Sequence, residues 1–149
     1  MSADQAVTKD LIETLEDGRE GFAKGAEKLD ADNAADLAAT FRKFSEQRSE
    51  FSAELSKLAA EYGDHVDESG SVAAKLHRGW LAVKDVLAGS SDPSGVLDAA
   101  EQGEDHAVKE YERALAEDVS AELRSVIERQ LAEIKTAHDQ VRQLRDAHQ

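Results

Sequence analysis

The sequence contains no cysteine and a single proline, Pro93, in 149 residues. Without thiols the chain can form no disulfide, no zinc–thiolate site and no cysteine nucleophile. No stretch approaches the roughly 20 consecutive apolar residues of a membrane-spanning helix. Residues 1–10 are polar and show no secretory signal pattern, so the sequence predicts a cytoplasmic protein.

Positive charge is also scarce. The chain has 18 lysines and arginines against 32 aspartates and glutamates, a net charge of −14. Such a polyanion repels nucleic acids and anionic membrane surfaces, so we expect neither as a partner. The acidity by itself indicates a soluble protein rather than a particular function.

The remaining sequence is rich in helix-forming residues, and its apolar residues recur with helical spacing. Aromatic residues are only 5% of the chain, so aliphatic side chains must form most of the core. Start and stop signals such as Asp92–Pro93 and Gly63 separate the periodic stretches. Together they predict five helices, at 3–29, 34–62, 71–88, 93–116 and 119–147.

The lengths of the connections predict how these helices are arranged. Short turns join the first helix to the second and the fourth to the fifth, so each pair is an antiparallel hairpin. The long connection between the hairpins contains the helix at 71–88, and one such crossover is the ferritin-like topology. We therefore predict one all-α domain over residues 1–149, a ferritin-like four-helix bundle with an additional short helix in the crossover.

Several strings, taken in order, are distinctive. They are His77-Arg78-Gly79-Trp80 with Lys84, Glu101-Gln102-Gly103-Glu104-Asp105 with Tyr111, Arg129-Gln130 with Lys135, His138-Asp139, and Leu144-Arg145-Asp146. Over residues 11–146 the chain resembles a bacterial ferritin-like four-helix-bundle family, domain of unknown function 2383. The resemblance implies the fold and a bacterial, cytoplasmic setting, and it implies no established activity.

A ferritin-like fold raises the hypothesis of two iron or manganese ions inside the bundle. Such a site needs a carboxylate from each of two helices and a Glu-x-x-His pair from each of the other two. Helical-wheel positions place Glu13 outward and Glu104 inward, and no Glu-x-x-His occurs in the chain. We therefore expect no cofactor. If a metal is bound, the candidate ligands are Glu104, His138 and Glu133.

Polar residues also occur at positions of the predicted helices that face inward with the apolar residues. They predict a polar centre for the bundle in place of a metal site. Arg48 and Glu104 fall at similar heights, and a buried charge is very costly unless it is paired. We predict a core polar network consisting of Arg48, Glu104, Gln130, Tyr111 and His138. It is interpreted either as a vestigial metal site in which arginine replaces the metal charge, or as a device that selects one arrangement of the helices.

The predicted crossover helix has a locally basic face. Leu81 lies on it among Lys75, Arg78 and Lys84, which makes this face a candidate contact for a protein partner or a second copy of the chain.

No phosphate-binding loop or nucleophile motif is found. The sequence thus favours a non-enzymatic structural or interaction protein with a degenerate, metal-free core site; the alternative is a di-iron or di-manganese carboxylate protein for iron handling or oxidoreduction.

Overall fold

The computed structural model describes residues 3–61 and 93–147, which form four α-helices. The helices are α1 (Ala3–Ala31), α2 (Ala35–Glu61), α3 (Pro93–Leu115) and α4 (Ala121–Ala147). Neither described stretch contains a strand, so the prediction of an all-α four-helix bundle is confirmed. No helix among the four is long and apolar enough to cross a membrane.

The observed helix ends differ from the predicted ends by at most two residues. Pro93 is the first residue of α3, as its start signal predicts. The predicted helix at 71–88 lies outside the described residues. The same is true of the four residues proposed for its contact face: Lys75, Arg78, Leu81 and Lys84.

Asn33 shapes the turn between α1 and α2. Its φ is 63°, a left-handed conformation in which asparagine is enriched among the non-glycine residues. The N–H of Ala34 donates to the carbonyl of Leu29 at 2.8 Å, and the N–H of Asn33 donates to that of Asp30 at 3.1 Å. These two bonds form a Schellman motif, which ends α1 and lets α2 return along it.

Ser120 begins α4. Its Oγ accepts a hydrogen bond from the N–H of Leu123 at 3.2 Å, which is the bond expected of an N-cap serine. Ser120 is therefore the N-cap of α4. The backbone N–H of Ser120 also donates to Oδ1 of Asp4 at 2.8 Å, so the turn before α4 is tied to the start of α1.

Contacts at the two ends of the bundle fix the helix directions. Near the end of α1, Gly25 lies against Phe41 at the start of α2 and Val96 at the start of α3. At the other end, Leu58 near the end of α2 shares a hydrophobic cluster with Val7 near the start of α1. The end of α2 and the start of α3 therefore lie at opposite ends of the bundle, as a crossover connection requires.

Two clusters of buried apolar residues make up the core of the described helices. Aliphatic side chains supply most of each cluster, as the low aromatic content predicts. One cluster includes Leu11, Leu15, Leu55, Tyr111 and Ile127, and the other includes Phe22, Phe41, Leu97, Ala100 and Val141.

Two glycines of α1 give a matched test of this packing. A Cβ at Gly25 would lie 2.9 Å from the buried ring of Phe41, whereas a Cβ at Gly18 would meet Arg48 at an ordinary 3.6 Å. We expect Gly25→Ala to lower the free energy of unfolding, since overpacking costs about 1–3 kcal/mol. Gly18→Ala should leave stability unchanged or raise it by up to about 1 kcal/mol through helix propensity. Urea denaturation measures both, and equal effects would contradict the close approach at Gly25.

Candidate functional site

Arg48 and Glu104 form a two-pronged ion pair in the centre of the bundle. Nη1 of Arg48 lies 2.5 Å from Oε1 of Glu104, and Nη2 lies 2.7 Å from Oε2. Each side chain is only 1% exposed. Both carboxylate oxygens of Glu104 are therefore engaged by one guanidinium, in the fork-to-fork geometry that gives arginine–carboxylate pairs their strength and direction.

The neighbours of Arg48 fit a guanidinium. Its Nε donates to Oε1 of Gln47 at 3.3 Å, and its Cζ lies 5.3 Å from the centre of the Phe22 ring, within cation–π range. On α1, Gly18 presents no side chain, and its Cβ position would be 3.6 Å from Cγ and Nη1 of Arg48. The small residue on α1 thus leaves the room that the long side chain of Arg48 fills.

The pair connects the two helical hairpins. Arg48 belongs to the α1–α2 hairpin and Glu104 to the α3–α4 hairpin. The main packing between the hairpins is that of α1 against α3, while α2 and α3 are not packed face to face. The reach of an arginine side chain therefore bridges helices that their backbones leave apart.

A second polar network, buried at Tyr111 and Gln130 and exposed at its outer members, lies to one side of the ion pair. The Tyr111 hydroxyl donates to Oε1 of Gln130 at 2.7 Å. Nε2 of Gln130 donates to Oε1 of Glu54 at 2.8 Å and to the carbonyl of Phe51 at 3.4 Å. Arg129 also pairs with Glu54. Gln130 and Tyr111 are thus buried polar residues that bond to each other and to α2 rather than to Glu104.

Burial sets the charge state of Tyr111 in this second network, whereas hydrogen bonds and a neighbouring charge set that of Glu54. It raises the pKa of the Tyr111 hydroxyl well above its ordinary value, so this group is a neutral donor. Burial also raises the pKa of Glu54, but the hydrogen bonds from Arg129 and Gln130 and the Arg129 charge outweigh it. The pKa of Glu54 is therefore held below its ordinary 4.5.

His138 is buried, with 8% of its surface exposed, but it pairs with Asp105 rather than with the central residues. Its Nε2 lies 2.5 Å from Oδ1 of Asp105. Glu133 is half exposed and lies 3.7 Å from Arg129. The three residues expected as ligands of an alternative metal site thus each have a different partner. Glu104 is held by Arg48, Glu133 faces Arg129, and His138 faces Asp105.

Two acidic residues of α1 are buried where the helical wheel did not place them. Glu13 was expected to point outward, yet it is 9% exposed, and Asp17 is 4% exposed. Arg19, two residues further along α1, has a side chain that is 40% exposed and bonds Glu16 at 2.7 Å. The buried face of α1 is therefore wider than predicted and takes in Glu13 and Asp17.

We expect the two charges of the central pair to be strongly coupled. Removing one partner of a buried ion pair typically costs about 3–5 kcal/mol because it strands the other charge, whereas replacing both with apolar residues is often neutral. Arg48→Leu and Glu104→Leu should each lower the free energy of unfolding by about this amount, and the double variant should recover much of the loss. A double-mutant cycle by chemical denaturation measures the coupling, and additive losses would contradict the pairing.

The lowered pKa of Glu54 predicts a dependence of stability on pH. Its stabilising contribution is present above the unfolded-state pKa of about 4.5 and is lost as the pH falls through the lower folded-state pKa. Glu54→Gln should therefore lower the free energy of unfolding at pH 7 and reduce the loss of stability between pH 5 and 3. Both effects should be larger at low salt. Glu133→Gln, which removes the more exposed carboxylate beside Arg129, is the control. An unchanged acid profile in Glu54→Gln would count against the network.

The family model described as domain of unknown function (DUF2383) matches residues 6–117. The match includes α2 and α3, and hence both Arg48 and Glu104. No curated protein is significantly similar to the chain. Because the match covers about three quarters of the 149 residues, the resemblance to domain of unknown function 2383 is confirmed, and the chain belongs to that family.

Proposed function

We propose that this protein is a non-enzymatic structural or interaction module, in which an arginine–glutamate pair takes the place that a metal centre has in ferritin-like bundles. The observation that supports the proposal most directly is the capture of both Glu104 oxygens by Arg48 at the bundle centre. The arrangement of the described helices also supports the proposal, since two hairpins with the end of α2 and the start of α3 at opposite ends of the bundle are compatible with a ferritin-like crossover.

The residues of the centre fit a metal pair poorly. A metal bound by Glu104 would sit beside the permanent positive charge of Arg48, since arginine is not deprotonated in proteins. The cation would therefore have to displace Arg48 from Glu104 inside a buried site. Arg48 would then be left without its carboxylate, at the cost of an uncompensated buried charge.

The same polar core gives the module a defined architecture. An apolar core tolerates shifts of one helix along another, whereas a two-pronged ion pair is satisfied at one register only. We propose that the pair holds the two hairpins in one register and so keeps the outer surface constant for a partner. The setting we propose is the bacterial cytoplasm, and the predicted contact face at 71–88 stays a prediction.

Metal analysis of the purified protein tests this proposal. Protein prepared without chelators from cells supplied with iron and manganese should hold far less than one atom of either metal per chain. Glu104→Gln, which keeps the side-chain shape, should not change the iron or manganese content, and circular dichroism should confirm that the variant is helical. Two tightly bound ions per chain that are lost in Glu104→Gln would instead support the di-iron or di-manganese alternative.

A further inference from the structure

We propose that Glu101, Asp105 and His138 form a binding site for a single divalent transition-metal ion, of which zinc is the representative, at the edge between α3 and α4. This site lies outside the central ion pair and goes beyond the proposed function. Within the described residues, these three side chains form a group whose potential ligand atoms all lie within 4.8 Å of one another.

The helices place the three groups without distortion. Glu101 and Asp105 are four residues apart on α3, so they lie one above the other on the same face of the helix. His138 comes from α4, the neighbouring helix, and its side chain is only 10% exposed. One imidazole and two carboxylates from two rigid helices thus converge, which is the ligand mixture that suits a borderline divalent ion such as zinc.

At the contact between His138 and Asp105, only a small adjustment is needed to admit an ion. Zinc bonds of about 2.0–2.2 Å to nitrogen and oxygen in a tetrahedral site imply ligand atoms about 3.4 Å apart. Nε2 of His138 and Oδ1 of Asp105, now 2.5 Å apart, must therefore separate by about 1 Å. The side chain of Asp105 is 52% exposed, so it is free to make this movement, while buried His138 stays in place. Water would complete the coordination.

Two arginines now balance the charge of Glu101. Arg145 pairs with it through Nη1, and Nε of Arg142 lies 3.6 Å from Oε1. Arg145 also reaches Asp146 at 3.0 Å and Asp98 at 4.0 Å, so it has other carboxylates to bind when an ion takes its place. The ion and Arg145 therefore compete for Glu101, and removing Arg145 should strengthen metal binding.

The site differs chemically from the bundle centre although Glu104 is the immediate neighbour of Asp105. Glu104 is 1% exposed and faces Arg48, whereas Asp105 points to the surface between α3 and α4. A metal at the edge therefore needs no displacement of the central ion pair. Its binding should depend on His138 and be independent of the Arg48–Glu104 pair.

Calorimetric titration of the full chain with zinc chloride tests the site. We expect one zinc ion per chain in the wild type and binding at least about tenfold weaker in His138→Gln and in Asp105→Asn. His106→Gln alters the histidine of α3, which is not one of the proposed ligands, and should leave the affinity unchanged. Arg145→Gln should bind zinc more tightly. Because Asp105 is exposed, Asp105→Asn should fold even if His138→Gln does not, and circular dichroism checks both.

Absence of zinc binding to the wild type would overturn the proposal. So would equal weakening by His106→Gln and His138→Gln, which would identify dispersed surface binding, or an unchanged affinity in both His138→Gln and Asp105→Asn. None of these results bears on the proposed function, which depends on iron and manganese at Glu104. The two proposals therefore fail separately.

Discussion

The ion pair between Arg48 and Glu104 constrains the rest of this bundle. These two side chains are each only 1% exposed, so their charges have lost nearly all of their water. Their mutual contact is the main interaction that offsets that loss, and Gln47 and Phe22 add smaller contacts to Arg48. The contact requires α2 and α3 to keep one height and one rotation relative to each other. The two hydrophobic clusters, by contrast, supply stability without fixing register so sharply, since apolar contacts are not directional.

Much of this arrangement could be predicted from the sequence because it follows from periodicity. Each helix has a row of apolar residues that faces the core, and the turn signals mark where the helix begins and ends. The ends of the four described helices therefore lie within two residues of the predicted ends. Arg48 and Glu104 were found in the same way, as charged residues at apolar positions. The cost of a lone buried charge then makes each the natural partner of the other.

The remaining features depend on tertiary geometry that a helical wheel does not contain. α1 packs against both α2 and α3, so it buries a wider face, which takes in adjacent pairs such as Leu11 and Ile12 and turns Glu13 inward. The adjacent apolar residues Leu11 and Ile12 were the feature of the sequence that could have indicated this wider face. The sequence places Gln130 in one network with Glu104, but the turn before α4 fixes the relative heights of α3 and α4 only approximately. A shift of one turn, about 5.4 Å, brings a different partner into hydrogen-bonding range.

Nuclear magnetic resonance of the arginine side chains tests the central ion pair most directly. A two-pronged contact stops rotation of the guanidinium, so Arg48 should give separate, slowly exchanging Nη proton signals with a chelator present. Arg113, whose side chain is 70% exposed, should give averaged, rapidly exchanging signals in the same spectrum and serves as the internal reference. Arg48 signals as averaged as those of Arg113, or signals that become separate only after iron or manganese is added, would contradict a metal-free ion pair at the centre of the bundle.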